Sequence, residues 1–526
     1  MTKFSITFIE IFTVIAIMII LMAVCVPRFS SLTNQAECGI AQYPAYNPYY
    51  EIINTEKYPA FSNNSIKQTS KEPVSTFSLD VDTASYSNMR RFISNGITPP
   101  LESIRVEEFI NYFNYDYKGP SDKSKPFKAT VNIVPNPWNK DKKLMHIGIK
   151  GIEIETENKP EANLTFLIDV SGSMTDDNKL PLLIKSLQLL VNNLKDEDLI
   201  SIVTYAGSSE IILKPTKVKN KTKILQALQR LQAGGSTAGA DGIKTAYQLA
   251  EENFNKEKIN RVILATDGDF NVGISDPETL KEYIKIKKET GIYLNVLGFG
   301  GNNYNDLLMQ NLAQNGNGIA AYIDNLDEAN KIFVENLYKN IIPIANDVKV
   351  QVEFNPDKIS EYRLLGYETR ILNEEDFKND KIDAGDIGSG HSITAIYEIT
   401  DPESKARLID NKRYETNNKP KTNISDEYAF IKIRYKLPED KNSKLIEYPI
   451  TANNEINNLN ESNKDIIFSI AVAGFGQLLT KSPYLRDFTY DDVVNLASSA
   501  KGEDKYNYRG EFIKLVRRAK TLEKTI

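Results

Sequence analysis

Three short stretches, far apart in the chain, carry side-chain oxygens in a pattern that suits a hard cation. Asp169-Val170-Ser171-Gly172-Ser173-Met174 sets a carboxylate and two hydroxyls close together. Gly234-Gly235-Ser236-Thr237 offers further hydroxyls, and Thr266-Asp267-Gly268 a second carboxylate. Alone, Asp-x-Ser-x-Ser says little, because Asp and Ser settle in turns after strands for local hydrogen-bond reasons. Its weight comes from company: each of the three stretches adjoins an element that would deliver it to one edge of a sheet. Asp176 and Asp177, just downstream, read as solvated residues near a helix start.

The positioning elements are read from periodicity. Leu164-Thr165-Phe166-Leu167-Ile168 is a short, nearly continuous apolar strand, as expected in a parallel sheet covered on both faces. Leu180, Leu183, Leu187, Val191 and Leu194 then recur at helical spacing. Further strands are expected over Ile200 to Tyr205, Val262 to Thr266 and Ile292 to Phe299, with Ile243, Tyr247, Ala250 and Phe254 marking the buried stripe of a helix between them. Strands alternating with amphipathic helices predict a doubly wound, Rossmann-like α/β domain, whose ligands gather beyond the carboxyl ends of the strands.

This arrangement resembles the metal-ion-dependent adhesion site of von Willebrand factor type A (VWA) and integrin inserted domains. The resemblance implies Ser171, Ser173 and Thr237 as hydroxyl ligands, with Asp169 and Asp267 acting directly or through water. Ser236 competes with Thr237 for the loop role, and the spacing to the next helix favours Thr237. The implied ion is Mg2+, which wants six oxygens at about 2.1 Å, although Mn2+ and Ca2+ accept similar sets. A set with an open position would take an Asp or Glu carboxylate from a protein partner, and such a bond would dominate the contact.

Other functions find little support in the composition. A formal net charge of -6, from 64 Lys+Arg against 70 Asp+Glu, argues against nucleic-acid binding. His146 and His391 are the only histidines, so Ser-His or Cys-His catalysis has little to work with. Two cysteines, Cys25 and Cys38, make no disulfide framework. No Gly-x-x-x-x-Gly-Lys-Ser/Thr loop is present. Asp80-Val81-Asp82-Thr83 after Phe77-Ser78-Leu79 resembles the nucleophile turn of haloacid-dehalogenase-type phosphatases, which makes a metal-dependent phosphatase an alternative. The sequence beyond this turn is β-like, so a turn or cap is the expected role. The chain reads as a binding protein and not an enzyme.

At the amino end, Ile6 to Val26 is a mostly apolar run of about 20 residues, enough to cross a hydrocarbon core of about 30 Å. It predicts one transmembrane helix, a cell-membrane location and an extracytoplasmic bulk. Glu10 inside it is a costly carboxylate that wants a partner. Ile6-Thr7-Phe8-Ile9-Glu10 and Pro27 resemble a type IV pilin amino terminus, which implies cleavage after Ser5 and pilus-like assembly through Glu10. Ser5 and Ile6 depart from the residues that family prefers. Those departures weaken the match; where the resemblance holds, it implies the alternative of a minor pilin or pseudopilin with an adhesive head. The Tyr-, Asn- and Pro-rich residues after it read as a stalk.

Around the α/β region the pattern turns β-rich. Val348, Val350, Val352 and Phe354 alternate with Asp347, Lys349, Gln351 and Glu353, as in a half-buried strand. Ile393 to Ile399, Ala429 to Leu437, Phe127 to Val134 and Leu144 to Ile149 behave alike, and helical spacing resumes after Asp465. STFSLDVDTASYSNMRRF, IRVEEFINYF, RVILATDGDFNVG and VLGFGGNNYND resemble a bacterial family of envelope VWA proteins, from about Thr76 to the carboxyl terminus. The expected organisation is a leader and transmembrane helix (1–28), a linker (29–75), an amino-terminal flank (76–160), the VWA domain (161–345) and a flank of strands then helices (346–526). Strands from both flanks are expected to form one sandwich, with the VWA domain inserted.

Overall fold

The computed structural model describes residues 55–523, apart from 80, 123, 156–158, 237–239, 269–275, 411–425 and 439. Ile6 to Val26, with Glu10 and both cysteines, lies outside these residues. Among the described residues no helix is long and apolar enough to cross a membrane.

The α/β layer runs β1 (Ala162–Asp169), α1 (Leu180–Asn193), β2 (Leu199–Tyr205), β3 (Ser209–Lys217), α2 (Lys221–Gln229), α3 (Ala240–Glu252), β4 (Ile259–Thr266), α4 (Pro277–Glu289), β5 (Tyr293–Phe299), α5 (Asp306–Asn315) and β6 (Ala320–Ile323). Its spatial order is β6-β5-β4-β1-β2-β3. All pairings are parallel except β2 with β3. The order reverses at β1, which puts a crevice at its carboxyl end, between the loops that leave β1 and its neighbours. Every residue of β1 and β4 is buried, because helices cover both faces. Leu183, Leu187 and Val191 of α1 fill one side; Ile243, Tyr247 and Ala250 of α3 fill the other. Phe254 departs from the expected stripe: it lies past the end of α3 and is 41% exposed.

The flanks interleave. Lys143–Gly151 pairs with Phe127–Pro135 on one side and with Ser392–Thr400, more than 200 residues onward, on the other. Val74–Ser78 pairs with Pro343–Phe354, which continues to Glu427–Lys436 and Lys444–Thr451. The two sheets share one core that includes Phe77, Ile147, Val350, Tyr397 and Ile431. Strands preceding and following the α/β layer thus hold one another, and that layer is an insertion. Lys349 and Gln351 differ from expectation: they are buried, since the second face of this strand is covered too. Lys349 Nζ donates to the carbonyls of Asp376 and Asn379, which is how the ammonium tolerates the position. Three carboxyl-terminal helices, Lys464–Leu479, Tyr490–Ser499 and Tyr508–Glu523, pack with Ala84–Ser94 and Val106–Asn111 in a separate, aromatic-rich core.

The expected linker over 29–75 is corrected from residue 55 onward. Lys57 forms a parallel bridge with Asn305, and Lys67–Gln68 is an edge strand on Glu361–Leu365. Asn64 donates to the carbonyls of Leu364 and Gly366 at 3.2 and 2.8 Å. Polar side chains bonding to backbone make this segment part of the body, a role that hydrophobic periodicity does not signal.

Candidate metal centre

Asp169 ends β1 and is fully buried. Its Oδ1 accepts the Ser171 N–H at 2.9 Å, which turns the chain sharply and brings Ser171 and Ser173 to the same side. Their hydroxyl oxygens stand 3.0 Å apart. The second carboxylate oxygen of Asp169 accepts from Tyr205 at 3.1 Å and Thr266 at 3.2 Å, hydroxyls from the ends of β2 and β4. Burial raises the Asp169 carboxyl above the ordinary carboxylate range, hydrogen bonds from Ser171 offset part of this, and the charge of Asp267 adds to the rise.

The loop before α3 is stitched to the first by backbone bonds. Gly234 N–H donates to Val170 O at 2.8 Å, and Gly172 N–H to Gly235 O at 3.0 Å. Gly235 has φ +84°, a left-handed conformation that admits glycine readily. Ser236 lies beside Gly207 on this rim. Thr237, the expected hydroxyl ligand of this loop, lies outside the described residues.

Asp267 comes directly after β4 and is fully buried. Its Oδ2 accepts from Lys179 Nζ at 2.9 Å, and the same ammonium reaches Asn303 Oδ1 at 3.4 Å. Burial alone would raise the Asp267 carboxyl; Lys179, Asn303 and Ser173 together hold it below the usual range. Lys179 passes beneath Gly300 (φ +76°), where a Cβ would strike its side chain. Sequence reasoning missed Lys179, Asn303, Tyr205 and Thr266. Lys179 did leave a signal: it is the residue before the first turn of α1, where the helix dipole disfavours a cation, so it needs an acidic partner. Asp176 and Asp177 are exposed.

Asp169, Ser171, Ser173 and Asp267 therefore converge on one rim. The donor set fits a hard cation: it is all oxygen, and adjacent ligands of an octahedron at about 2.1 Å stand about 3.0 Å apart. The two serine hydroxyls have that separation. Among the described residues no group of three or more His, Cys, Asp or Glu could hold a metal. Asp82, the end of the phosphatase-like turn, instead accepts from Ala320 N–H at 2.8 Å and from Arg370 at 3.1 Å, which gives it a structural duty; Asp80 lies outside the described residues.

Three family models match: von Willebrand factor over residues 52–146, von Willebrand factor type A domain over 163–336, and uncharacterized protein YfbK, C-terminal, over 339–522. Uncharacterized protein YfbK of Escherichia coli (strain K12) is 44% identical over 469 residues, 88% of this chain and 80% of that protein. Inter-alpha-trypsin inhibitor heavy chain H3 of Pongo abelii is 25% identical over 300 residues, which span 53% of this chain and 33% of that protein. Among solved structures, a von Willebrand factor type A protein from Catenulispora acidiphila aligns with TM-score 0.39 at 15% identity, covering 77% of this chain and 91% of that one.

Proposed function

The chain belongs to the YfbK-like family of von Willebrand factor type A domain proteins, and from that premise we propose that it is a non-enzymatic binding protein whose rim holds a divalent cation. One observation carries the reading: Asp169, Ser171, Ser173 and Asp267 come together from two strand ends 97 residues apart, with the two serine hydroxyls 3.0 Å from each other, the separation of adjacent ligands in an octahedron. Ser171 and Ser173 would hold Mg2+ directly, Thr237 would add a hydroxyl, and Asp169 and Asp267 would balance its charge. Mn2+ or Ca2+ would fit the same oxygens. Neutral ligands leave the ion electrophilic enough to accept an Asp or Glu carboxylate from a protein partner. Lys179 donates to Asp267 at 2.9 Å, so a cation at the rim would share that carboxylate with it.

We place the protein at the cell membrane, anchored by Ile6 to Val26 with the bulk extracytoplasmic. A second reading, favoured by the spacing of Ile6, Glu10 and Pro27, is a minor pilin or pseudopilin with an adhesive VWA head. Amino-terminal sequencing separates the two: a mature chain starting at methylated Ile6 supports the pilin, and a chain retaining Met1 rejects it. The binding function is tested by pull-down from envelope extracts with Mg2+ and with EDTA. Asp169→Ala and Ser171→Ala should each abolish cation-dependent capture while leaving the fold intact; capture that ignores EDTA and both substitutions would falsify the mechanism.

A further inference from the structure

A second candidate site lies at the far pole of the α/β layer. Arg261 stands near the amino end of β4, about 20 Å along the strand from Asp267. There the layer meets the sandwich strand Gly385–Gly388 and leaves a half-open cavity of about 170 Å3 lined by Arg261, Lys339, Asn340, Asp386 and His391, among others. An apolar cavity of about 150 Å3 accepts benzene, so this one has room for about six to eight non-hydrogen atoms.

The charges in this cavity do not cancel within the protein. Arg261 is 3% exposed, yet its guanidinium is held by neutral groups: Ile341 O at 3.0 Å, Asn295 Oδ1 at 2.7 Å, Asn317 O at 3.2 Å and the Tyr293 ring, 5.3 Å to its centroid. Lys339 Nζ likewise bonds a neutral group, Asn114 Oδ1, at 3.0 Å. Across the cavity Asp386 accepts one bond, from the Asp347 N–H at 3.2 Å. Burial and the neighbouring Asp383 push its carboxyl up to about 7. The other charges here have partners: Asp82 with Arg370, and Asp383 with Lys288 at 3.1 Å. Among the described residues neither Arg261 nor Asp386 has an ion-pair partner within 4.0 Å, and they do not reach each other, although Arg261 feels the charge of Asp386. Burying the Arg261 charge without a counter-ion is costly, and the half-buried Asp386 carboxyl ionises readily only beside a cation, so one ligand carrying a carboxylate and an ammonium satisfies both.

We propose that this cavity binds a small zwitterion of the free amino-acid class, its carboxylate on Arg261 and Lys339 and its ammonium on Asp386. The cavity shares no residue with the cation rim. Its ligand is sought by titrating the purified full chain with individual small L-amino acids, following heat release and thermal shift, beside acetate and methylamine as single-charge controls. At least one amino acid should bind saturably while both controls do not. Asp386→Asn keeps an oxygen for the Asp347 N–H, so it should fold yet bind about tenfold more weakly or worse; Lys339→Met should weaken binding in the same direction. Failure of every amino acid to bind, equal binding of acetate, or wild-type affinity in Asp386→Asn would each overturn the proposal.

Discussion

At the residue scale, Lys179 is the side chain on which the behaviour of the rim turns. It is 6% exposed and Asp267 is fully buried, so removing Lys179 takes a cation away from a buried carboxylate that Asn303 and Ser173 hold only through neutral groups. Lys179→Met should therefore destabilise the chelated protein by about 3 kcal/mol in urea titration. Added Mg2+ should restore most of that loss, because a cation then meets Asp267 without competition, and its affinity should rise about tenfold. Destabilisation that Mg2+ leaves untouched would contradict this role. The two buried histidines contribute to the acid side. His146 is buried, bonds Tyr117 and Ser469 through Nε2, and is pushed down to about 4 by desolvation, with Asp465 pulling weakly the other way. Its folded value lies below the unfolded value near 6.5, so its contribution is intact above pH 6.5 and is lost as pH falls toward 4. That amounts to roughly 3 kcal/mol. His391 is depressed in the same sense. His146→Gln should flatten the stability profile between pH 4 and 6.5; an unchanged acid limb would sink the assignment. The sequence made the oxygen residues visible because Asp and Ser cluster at strand ends. It hid Lys179 and Tyr205, since a long or aromatic side chain serves a site from any distance along the chain.

At the element scale, strands and helices were legible wherever apolar residues kept a strict period, as in β1, β4, α1 and Ser392–Thr400. The edges were not: β3 alternates weakly, with only two buried residues, and β6 has four residues. The segment at Thr55–Tyr58 reads as stalk in the sequence because its bonds are polar. It lies along the Asn302–Asn305 loop, where Thr55 N–H donates to Asn302 O at 2.8 Å and Asn302 N–H to Glu56 Oε1 at 2.8 Å. Glu56 is further held by both oxygens to Arg91. That loop carries Asn303 to the Lys179–Asp267 pair, so the strap is mechanically joined to the rim. Glu56→Gln should cost about 2 kcal/mol of stability and weaken Mg2+ binding several-fold in calorimetry. Unaltered Mg2+ affinity would show the strap and the rim to be uncoupled.

At the scale of the whole molecule, an α/β layer sits within a sandwich made by the two ends of the described chain. Alternation along each flank strand announced a sandwich, but which strands pair is set by long-range burial that one sequence does not encode locally. Because of this pairing, Lys143–Gly151 loses a neighbour on one side if the chain stops at residue 338. A chain so truncated should show no cooperative urea transition by the fluorescence of Trp138, the only tryptophan, which is 4% exposed and donates to Glu398 at 2.8 Å. A sharp transition at wild-type denaturant concentration would mean that the amino-terminal flank folds alone. The cation at the rim is the central claim, and anomalous diffraction from crystals of the full chain grown with Mn2+ tests it most directly. The expected result is a single strong peak within coordination distance of the Ser171 and Ser173 hydroxyls, absent in Asp169→Ala. A rim without a peak at saturating Mn2+, or a peak bound only elsewhere, would contradict it.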